Sequence, residues 1–238
     1  MKAFFHTFFY TPIYNLVVLF AAYVPGGDIG VAVILSTITV KIVLLPLSLS
    51  AVRTQKAMKR VEGHIKRIQE EHKGDREKLA RETLSLYKEH GIRPFSSIFT
   101  MLIQIPFIIS LYFVFLHQSL PTVDASLLYS FIHISDLHTS LHFLGLIDIS
   151  GKSIILALIA ALAQYWMSVY TIPATPKTDS PTKQEEFARA MSVQMRYVLP
   201  LIIGFVAFTS GAVALYFITS SLFSVGQEYY VRKRYGHL

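Results

Sequence analysis

Residues 29–52 read IGVAVILSTITVKIVLLPLSLSAV, an apolar run that contains one charged residue, Lys41. A helix of about 20 residues crosses the roughly 30 Å of bilayer hydrocarbon, so this run is long enough to span a membrane. Lys41 follows Ile29 by twelve residues, which places it about 18 Å along a helix that rises 1.5 Å per residue. A charge near mid-bilayer costs on the order of 3 kcal/mol, so we expect Lys41 to face water or a partner and not lipid.

The composition of the whole chain agrees with a membrane protein. Of its 238 residues, 53% are hydrophobic and only 16% are charged, which is too apolar for an ordinary soluble domain. The net charge of +7 fits either basic cytoplasmic loops or a nucleic-acid-binding surface, so the position of the basic residues must decide. The chain has no cysteine, which excludes a disulfide framework and a thiolate metal site.

Further apolar runs predict further spans. We expect an all-α, polytopic membrane protein with a five-span helical core, formed by residues 27–52, 95–117, 153–172 and a pair of spans within 197–231 that turns at Ser210 and Gly211. Residues 1–26 are also apolar, but Pro12 and Asn15 interrupt them and the PGG sequence at 25–27 ends them. We interpret this segment as an interfacial amphipathic helix, with an uncleaved signal or a sixth span as the alternatives.

The strongly charged region, residues 53–94, mixes basic and acidic residues at helical spacing. This pattern predicts two solvated helices that form an antiparallel hairpin. Gly74 ends the first helix, Asp75 caps the second, and Gly91 and Pro94 end the second. The apolar stripes on both helices are narrow, so we expect little core to hold the hairpin rigid.

The distribution of charge predicts the orientation of the spans. If the 53–94 hairpin is cytoplasmic, the N-terminus and the 118–152 loop lie outside, and the 173–196 loop and the 232–238 tail lie inside. Among the basic residues, only Lys2 and Lys152 then fall outside, which obeys the positive-inside rule. We therefore expect a bacterial inner-membrane protein with an external N-terminus and a cytoplasmic C-terminus.

Polar residues recur at helical spacing in the predicted spans, mainly in their cytoplasmic halves. Each of them alone is better explained by a hydrogen bond between helices. Their common bias toward one side, together with a lysine that has no acid in any span except Glu228, instead predicts a hydrophilic groove open to the cytoplasm and closed outside. Its expected lining residues are Thr37, Lys41, Ser48, Thr100, Gln104, Gln164, Ser168, Ser220 and Ser224.

Several motifs resemble the YidC family of membrane protein insertases and follow the same order as in that family. They are TPIYN at 11–15, PGG at 25–27, VKIVLLPL at 40–47, LYKEHGIRP at 86–94, LIQIP at 102–106, and Ser-Gly at 210–211 ahead of Leu-Tyr at 215–216. The ordered set covers nearly the whole chain and is far more specific than any one motif. It resembles the short form of the family, without a large extracytoplasmic domain.

The resemblance implies an insertase and chaperone that takes hydrophobic segments of nascent proteins from the cytoplasm into the bilayer, with no enzymatic reaction and no cofactor. Nascent membrane proteins and membrane lipid are the implied partners, with the Sec translocon and the ribosome as further candidates. The short basic tail weakens the expectation of ribosome docking. Lys41 takes a groove position that is usually arginine in the family, and Gln164 matches a groove glutamine. Unlike arginine, a poorly hydrated lysine can lose its charge.

Two other classes of function compete with this interpretation. A small-solute or ion transporter or channel also uses intramembrane charge, but it needs access from both sides. A metalloenzyme would depend on His133, His138 and His142 in the outer loop, and the last two have the spacing of helical metal ligands. No Glu follows His138 as a zincin motif requires, so we expect no metal site. Direct nucleic-acid binding is disfavoured because acidic residues interleave the basic ones in 53–94.

Overall fold

The computed structural model describes residues 2–92, 96–117, 123–132, 138–172 and 183–235. Helices make up most of it. In chain order they are α1 (Lys2–Phe5), a π-helical turn (His6–Tyr10), α2 (Thr11–Tyr23), α3 (Ile29–Val43), α4 (Leu45–Arg60), α5 (Glu62–Glu71), α6 (Arg76–Glu89), α7 (Ser96–His117), α8 (Ile154–Thr171), α9 (Lys183–Val193), a second π-helical turn (Gln194–Val198), α10 (Leu199–Phe208) and α11 (Gly211–Tyr235).

Two ends of the helical bundle are defined by contacts between loops and helix termini. At one end, which we call the loop end, Ile29 N–H donates to the carbonyl of Ser140, and Gly211 N–H donates to the carbonyl of Gly151, each at 3.0 Å. At the other end, the tail end, Arg232 of α11 donates to the carbonyl of Tyr170 in the last turn of α8. Thus α3, α8 and α11 run from the loop end to the tail end, and α10 runs in the opposite direction, packed against α8 and α11.

The first predicted span is bent in the structure. Helices α3 and α4 meet at Leu44 at an angle of 59°. Pro46 is the second residue of α4, and because proline has no amide hydrogen it cannot donate to the carbonyl of Ile42 as a continuous helix requires. Helix α4 then passes residue 52 without a break and ends at Arg60, so the apolar run and the charged region share one helix.

The charged region contains α5 and α6, which contact each other, but its first residues, up to Arg60, belong to α4, so the first predicted helix of this region is divided. Asp75 is the N-cap of α6, with its carboxylate accepting from the amide of Lys78 at 3.0 Å. Gly74 and Gly91 both have positive φ, of 107° and 62°, as expected of residues that follow helix C-termini. Neither α5 nor α6 contains a buried residue, which agrees with the narrow apolar stripes of the sequence.

The N-terminal helix α2 packs against α3 and α7. Its buried face includes Tyr14, Val17 and Ala21, while Tyr23 at its end is 80% exposed. Asn15 fixes the helix to the loop that follows α7, because its amide donates to the carbonyl of Leu127 at 2.8 Å and accepts from the amide of Tyr129 at 2.7 Å. The helix is therefore joined to the bundle by one face and leaves the other face open.

The loop before α8 departs from the expected all-α fold. It contains a two-stranded antiparallel hairpin, β1 (His142–Phe143) and β2 (Ile147–Asp148). Asp28, the N-cap of α3, holds this hairpin, since its carboxylate accepts from the amides of Val31 at 3.1 Å and Leu144 at 2.7 Å. The strands are only two residues long, so the protein is mostly helical but not strictly all-α.

The C-terminal helices confirm the predicted turn and lengthen the fourth predicted span. Thr209 and Ser210 separate α10 from α11. The helix that contains α10 begins at Lys183 and runs through Gln194–Val198, so part of the expected 173–196 loop is helical. Arg196 stabilises this extension by donating to the carbonyl of Ile172 at the end of α8.

Length and hydropathy identify two helices that are able to cross a membrane by themselves, Ile154–Thr171 and Arg189–Phe208. The bent pair α3 and α4 forms a third if both helices belong to one span. In the described residues of α7, Ile105–Phe115 is a shorter apolar helix. The described residues therefore include a few helices that are long and apolar enough to span a membrane, which agrees with a polytopic protein.

The hydrophobic core lies in the half of the bundle nearest the loop end. It joins the first turns of α3, α8 and α11 to the C-terminal part of α7 through buried side chains such as Ile29, Val33, Leu111 and Leu156. The rings of Phe107 on α7 and Tyr216 on α11 lie 5.4 Å apart. This half is closed by apolar packing, whereas most of the polar residues of the spans lie nearer the tail end.

Candidate functional site

Lys41 lies in the last turn of α3, directly before the bend at Leu44. Its side chain is half-buried. Among the described residues, no carboxylate lies within ion-pair distance of its ammonium group. The bend opens α4 away from the axis of α3, so the lysine sits where the helix pair changes direction.

Two predicted lining residues flank Lys41 along the bent helix pair. Thr37, one turn earlier, is fully buried, and its hydroxyl donates to the carbonyl of Val33 at 2.7 Å. Ser48, beyond the bend, is half-buried and exchanges hydrogen bonds with Gln227 of α11, with contacts of 2.7 and 3.1 Å. The hydroxyl of Thr37 thus forms its hydrogen bond within α3, while the hydroxyl of Ser48 connects α4 to α11.

Gln164 and Ser168 lie on the face of α8 that packs against α11. Both are buried. The Gln164 carbonyl oxygen accepts from the hydroxyl of Ser221 at 2.9 Å, whereas the hydroxyl of Ser168 has no hydrogen-bond partner within the described part of the chain. Gln164 therefore forms a polar contact between two packed helices. A hydrogen bond between helices is the alternative to groove lining that the sequence left open for any single polar residue in a span.

Ser220 and Ser224 occupy successive turns of α11 and are both half-buried. The hydroxyl of Ser224 donates to the carbonyl of Ser220 at 2.8 Å, and the Ser220 side chain is hydrogen-bonded to the phenol of Tyr216. Together with Gln227 they form a polar stripe that leads from the core toward the tail end. Thr100 and Gln104 belong to α7, but their side chains lie outside the described residues.

The sequence did not reveal the role of Ser221. It is adjacent to Ser220, and the spacing of Ser220, Ser224 and Gln227 selected the neighbouring face of the helix. Ser221 is instead the buried partner of Gln164. Which of two adjacent serines faces α8 depends on the rotation of α11 in the bundle, and helical spacing alone does not fix that rotation.

An ion-pair cluster at the tail end was also missed by the sequence. Glu228 of α11 is buried, and its carboxylate lies 3.9 Å from the ammonium of Lys56 on α4 and 2.9 Å from the guanidinium of Arg232. Arg232 lies over the ring of Tyr170 at 4.3 Å and donates to that residue's carbonyl. The cluster joins α4, α8 and α11 at their ends.

The apolar helices α7, α8 and α10 differ in their packing partners. Helix α7 contacts α2, α4 and α11 but does not pack extensively against α8 or α10 within the described residues. Helices α8 and α10 pack closely against each other and expose large apolar residues such as Leu162, Trp166 and Phe205. Such exposed apolar faces are expected of helices that contact lipid.

The described outer-loop histidines that were considered as metal ligands do not lie on a helix. His142 lies in strand β1 and His138 in the loop before it, so these two residues do not have the helical geometry that their spacing suggested. His133 lies outside the described residues. Among the described residues, no group of three His, Asp or Glu side chains is placed to bind a metal ion.

The fold and the polar residues together define a class, the polytopic helical membrane proteins whose polar side chains gather toward one end of the bundle. A family model described as 60Kd inner membrane protein matches residues 20–237. The chain belongs to this family, that of the YidC membrane protein insertases. The family and the apolar helices make it a bacterial inner-membrane protein.

Two groups of relatives illustrate the similarity. The membrane protein insertase YidC of Clostridium tetani (strain Massachusetts / E88) is 28% identical over 210 residues, which cover 88% of this chain and 84% of that protein. The protein of the same name from Francisella tularensis subsp. novicida (strain U112) is 32% identical over 214 residues, which cover 88% of this chain but 33% of that protein. The chain thus spans most of the first relative and about a third of the second.

Proposed function

We propose that this protein takes hydrophobic segments of nascent membrane proteins from the cytoplasm into the bilayer through a hydrophilic groove that opens toward the cytoplasm. The observation that carries the proposal is the environment of Lys41, which is half-buried at the bend and has no described carboxylate within ion-pair distance. A cation in that position needs water around it, because lipid would make it too costly. The apolar core at the loop end supports a groove that is closed on that side.

The proposed topology has five spans, formed by the bent pair α3 and α4, by α7, by α8, by α9 with α10, and by α11. The tail end is cytoplasmic, because Lys56, Arg196, Arg232 and the charged helices α5 and α6 all belong to it. The N-terminus lies outside, with α1 and α2 as an interfacial helix that is joined to the bundle by one face.

The proposed mechanism shortens the apolar path that a polar client segment must cross. Each unsatisfied backbone polar group in hydrocarbon costs several kcal/mol, and a groove that carries water from the cytoplasm partway across removes much of that cost. Lys41 attracts acidic residues in the client's N-terminal tail, and groove residues such as Gln104 and Ser220 offer hydrogen bonds. The client's apolar segment then leaves sideways into lipid, and the sparse contacts of α7 with α8 and α10 among the described residues support an exit there.

The hairpin of α5 and α6 is proposed as a mobile element that receives the client. No residue of either helix is buried, so little packing opposes a change in the hairpin's position. The Sec translocon and the ribosome are proposed as additional partners, and their retention on the purified protein is the measurement that decides each case.

The test of the proposal replaces Lys41 and measures insertion of a client with an acidic N-terminal tail into proteoliposomes. For Lys41→Gln we expect the amount of inserted client to fall about tenfold or more, because the loss of roughly 1.4 kcal/mol of charge attraction corresponds to a factor of ten. Lys41→Arg keeps the charge and should retain activity. Lys152→Gln is a matched control, because Lys152 is exposed at the loop end.

Full activity of Lys41→Gln would contradict the electrostatic step. A transporter or channel, the alternative class of function, would instead give solute flux across liposomes that contain this protein alone. Flux that Lys41→Gln changes, without any effect on client insertion, would favour that alternative over the insertase.

A further inference from the structure

The bend between α3 and α4 creates a second site, which lies beside the polar stripe and shares Gln227 with it. Helix α3 packs along α11, but beyond Leu44 helix α4 diverges from α11. A pocket of about 400 Å³ lies in the resulting wedge, lined by Leu45, Leu49, Phe223, Gly226, Gln227 and Tyr230. The Ser48–Gln227 hydrogen bonds cross the wedge, and the Lys56–Glu228 ion pair joins the same two helices farther along.

The pocket has the size and chemistry of a site for one hydrocarbon chain. Its lining is aliphatic and aromatic apart from the amide of Gln227 and the phenol of Tyr230, and Gln227 is already bonded to Ser48. A helix with its side chains is about 10 Å wide and fills a comparable volume in roughly one to two turns, so the pocket is too small for a spanning client segment. A flexible acyl chain needs no partner for backbone polar groups and fits a narrow apolar wedge.

Basic residues lie one turn beyond the pocket on both helices that form it. On α4, Arg53 follows Leu49 by four residues and is exposed. On α11, Lys233 follows Tyr230 by three residues and is exposed. Because residues three or four apart share a helix face, these two cations stand at the tail-end rim of the pocket.

We propose that this wedge binds one acyl chain of an anionic glycerophospholipid, with the phosphate group held near Arg53 and Lys233. The apolar lining holds the chain, and the basic rim favours an anionic headgroup over a zwitterionic one. The site goes beyond the proposed insertion activity, and lipid binding is measured without any client, so the two proposals fail independently.

Gly226 allows the pocket to be filled without disturbing its walls. A Cβ built on Gly226 meets no atom within 4 Å, so Gly226→Leu places its side chain in the pocket and not into another helix. Gly63 in α5 is a matched control, because it is also helical and its Cβ also meets no atom within 4 Å. Both changes replace glycine by a better helix former, so neither is expected to weaken its helix.

The experiment is native mass spectrometry of the purified full-length protein, titrated with dipalmitoyl phosphatidylglycerol or dipalmitoyl phosphatidylcholine. We expect the wild-type protein to bind phosphatidylglycerol more tightly than phosphatidylcholine. In Gly226→Leu the affinity for phosphatidylglycerol should fall about tenfold or more, because two or more buried methylene contacts are removed. In Gly63→Leu the affinity should not change. Arg53→Gln combined with Lys233→Gln should weaken phosphatidylglycerol binding by about fivefold per residue and leave phosphatidylcholine unchanged.

Wild-type affinity for phosphatidylglycerol in Gly226→Leu would overturn the proposal, and so would equal affinity of the wild-type protein for the two lipids. A photoreactive residue at position 226 tests the occupant in cells. Crosslinking to phospholipid supports the proposal, whereas crosslinking to nascent client chains in place of phospholipid overturns it.

Discussion

Glycine residues at the loop end show how single positions hold the outer part of the structure. Gly27 has a φ of 63°, and a Cβ built there would lie 2.0 Å from the carbonyl oxygen of His138. Its neighbour Gly26 has a similar φ of 74° but open space around it. The chain reverses between α2 and α3 at these residues. Gly27 is therefore required both by its backbone conformation and by close packing, whereas Gly26 is required by its backbone conformation alone.

The pair gives a prediction that separates packing from backbone strain. Gly26→Ala should reduce the free energy of unfolding by about 1–2 kcal/mol, the cost of a left-handed conformation for a residue with a Cβ. Gly27→Ala should cost more, about 3 kcal/mol or higher, because the clash with the His138 carbonyl adds to that strain. Denaturant titration in mixed micelles compares the two variants. Equal losses would show that the contact with His138 contributes nothing.

At the scale of elements, the bend at Leu44 leaves α4 attached to α11 by only a few contacts among the described residues. Helix α4 leaves α11 at Leu44 and rejoins it through the Ser48–Gln227 hydrogen bonds and the ion pair of Lys56 with the buried Glu228. The hairpin of α5 and α6 follows directly and has no buried residue of its own. The position of the hairpin therefore depends on how firmly the end of α4 is held.

Removing the charge of Glu228 should loosen this attachment. In Glu228→Gln the ion pairs with Lys56 and Arg232 are lost, and we expect about 2 kcal/mol of destabilisation together with faster hydrogen exchange in α4 and α5. Glu77→Gln is the control, because the Glu77–Arg81 pair is similar in kind but exposed and should contribute less than about 0.5 kcal/mol. Unchanged exchange in α4 of Glu228→Gln would mean that other contacts hold the helix.

At the scale of the whole molecule, polar and apolar residues separate along the bundle axis. The buried apolar cluster joins the loop-end halves of α3, α7, α8 and α11. Lys41, Ser48, Ser220, Ser224 and Gln227 are half-buried and lie beyond that cluster toward the tail end. Water that enters from the tail end would meet polar side chains first and a closed apolar layer afterwards.

This separation predicts a gradient of water accessibility, which the absence of native cysteine makes simple to measure. A cysteine at Ser48 or Ser224 should react with a membrane-impermeant maleimide added from the cytoplasmic side. A cysteine at Val33 or Ala160, which are fully buried at the loop end, should not react from either side. Rapid labelling of position 33, or protection of both polar positions, would contradict an inward-open groove.

The sequence by itself determined that the chain is a mostly helical membrane protein of the YidC family. Long apolar runs can satisfy their backbone only as helices in lipid, and the cap at Asp75 and the turn at Ser210 are local signals that the structure confirms. Only the tertiary structure decided which polar residues pair with each other and where a pocket forms. Gln164 pairs with Ser221, Glu228 with Lys56, and the bend at Leu44 opens a pocket beside α11. Each of these features depends on how a helix is rotated and tilted against its neighbours. Packing between distant segments of the chain sets that rotation and tilt, and the spacing of residues within one helix does not encode them.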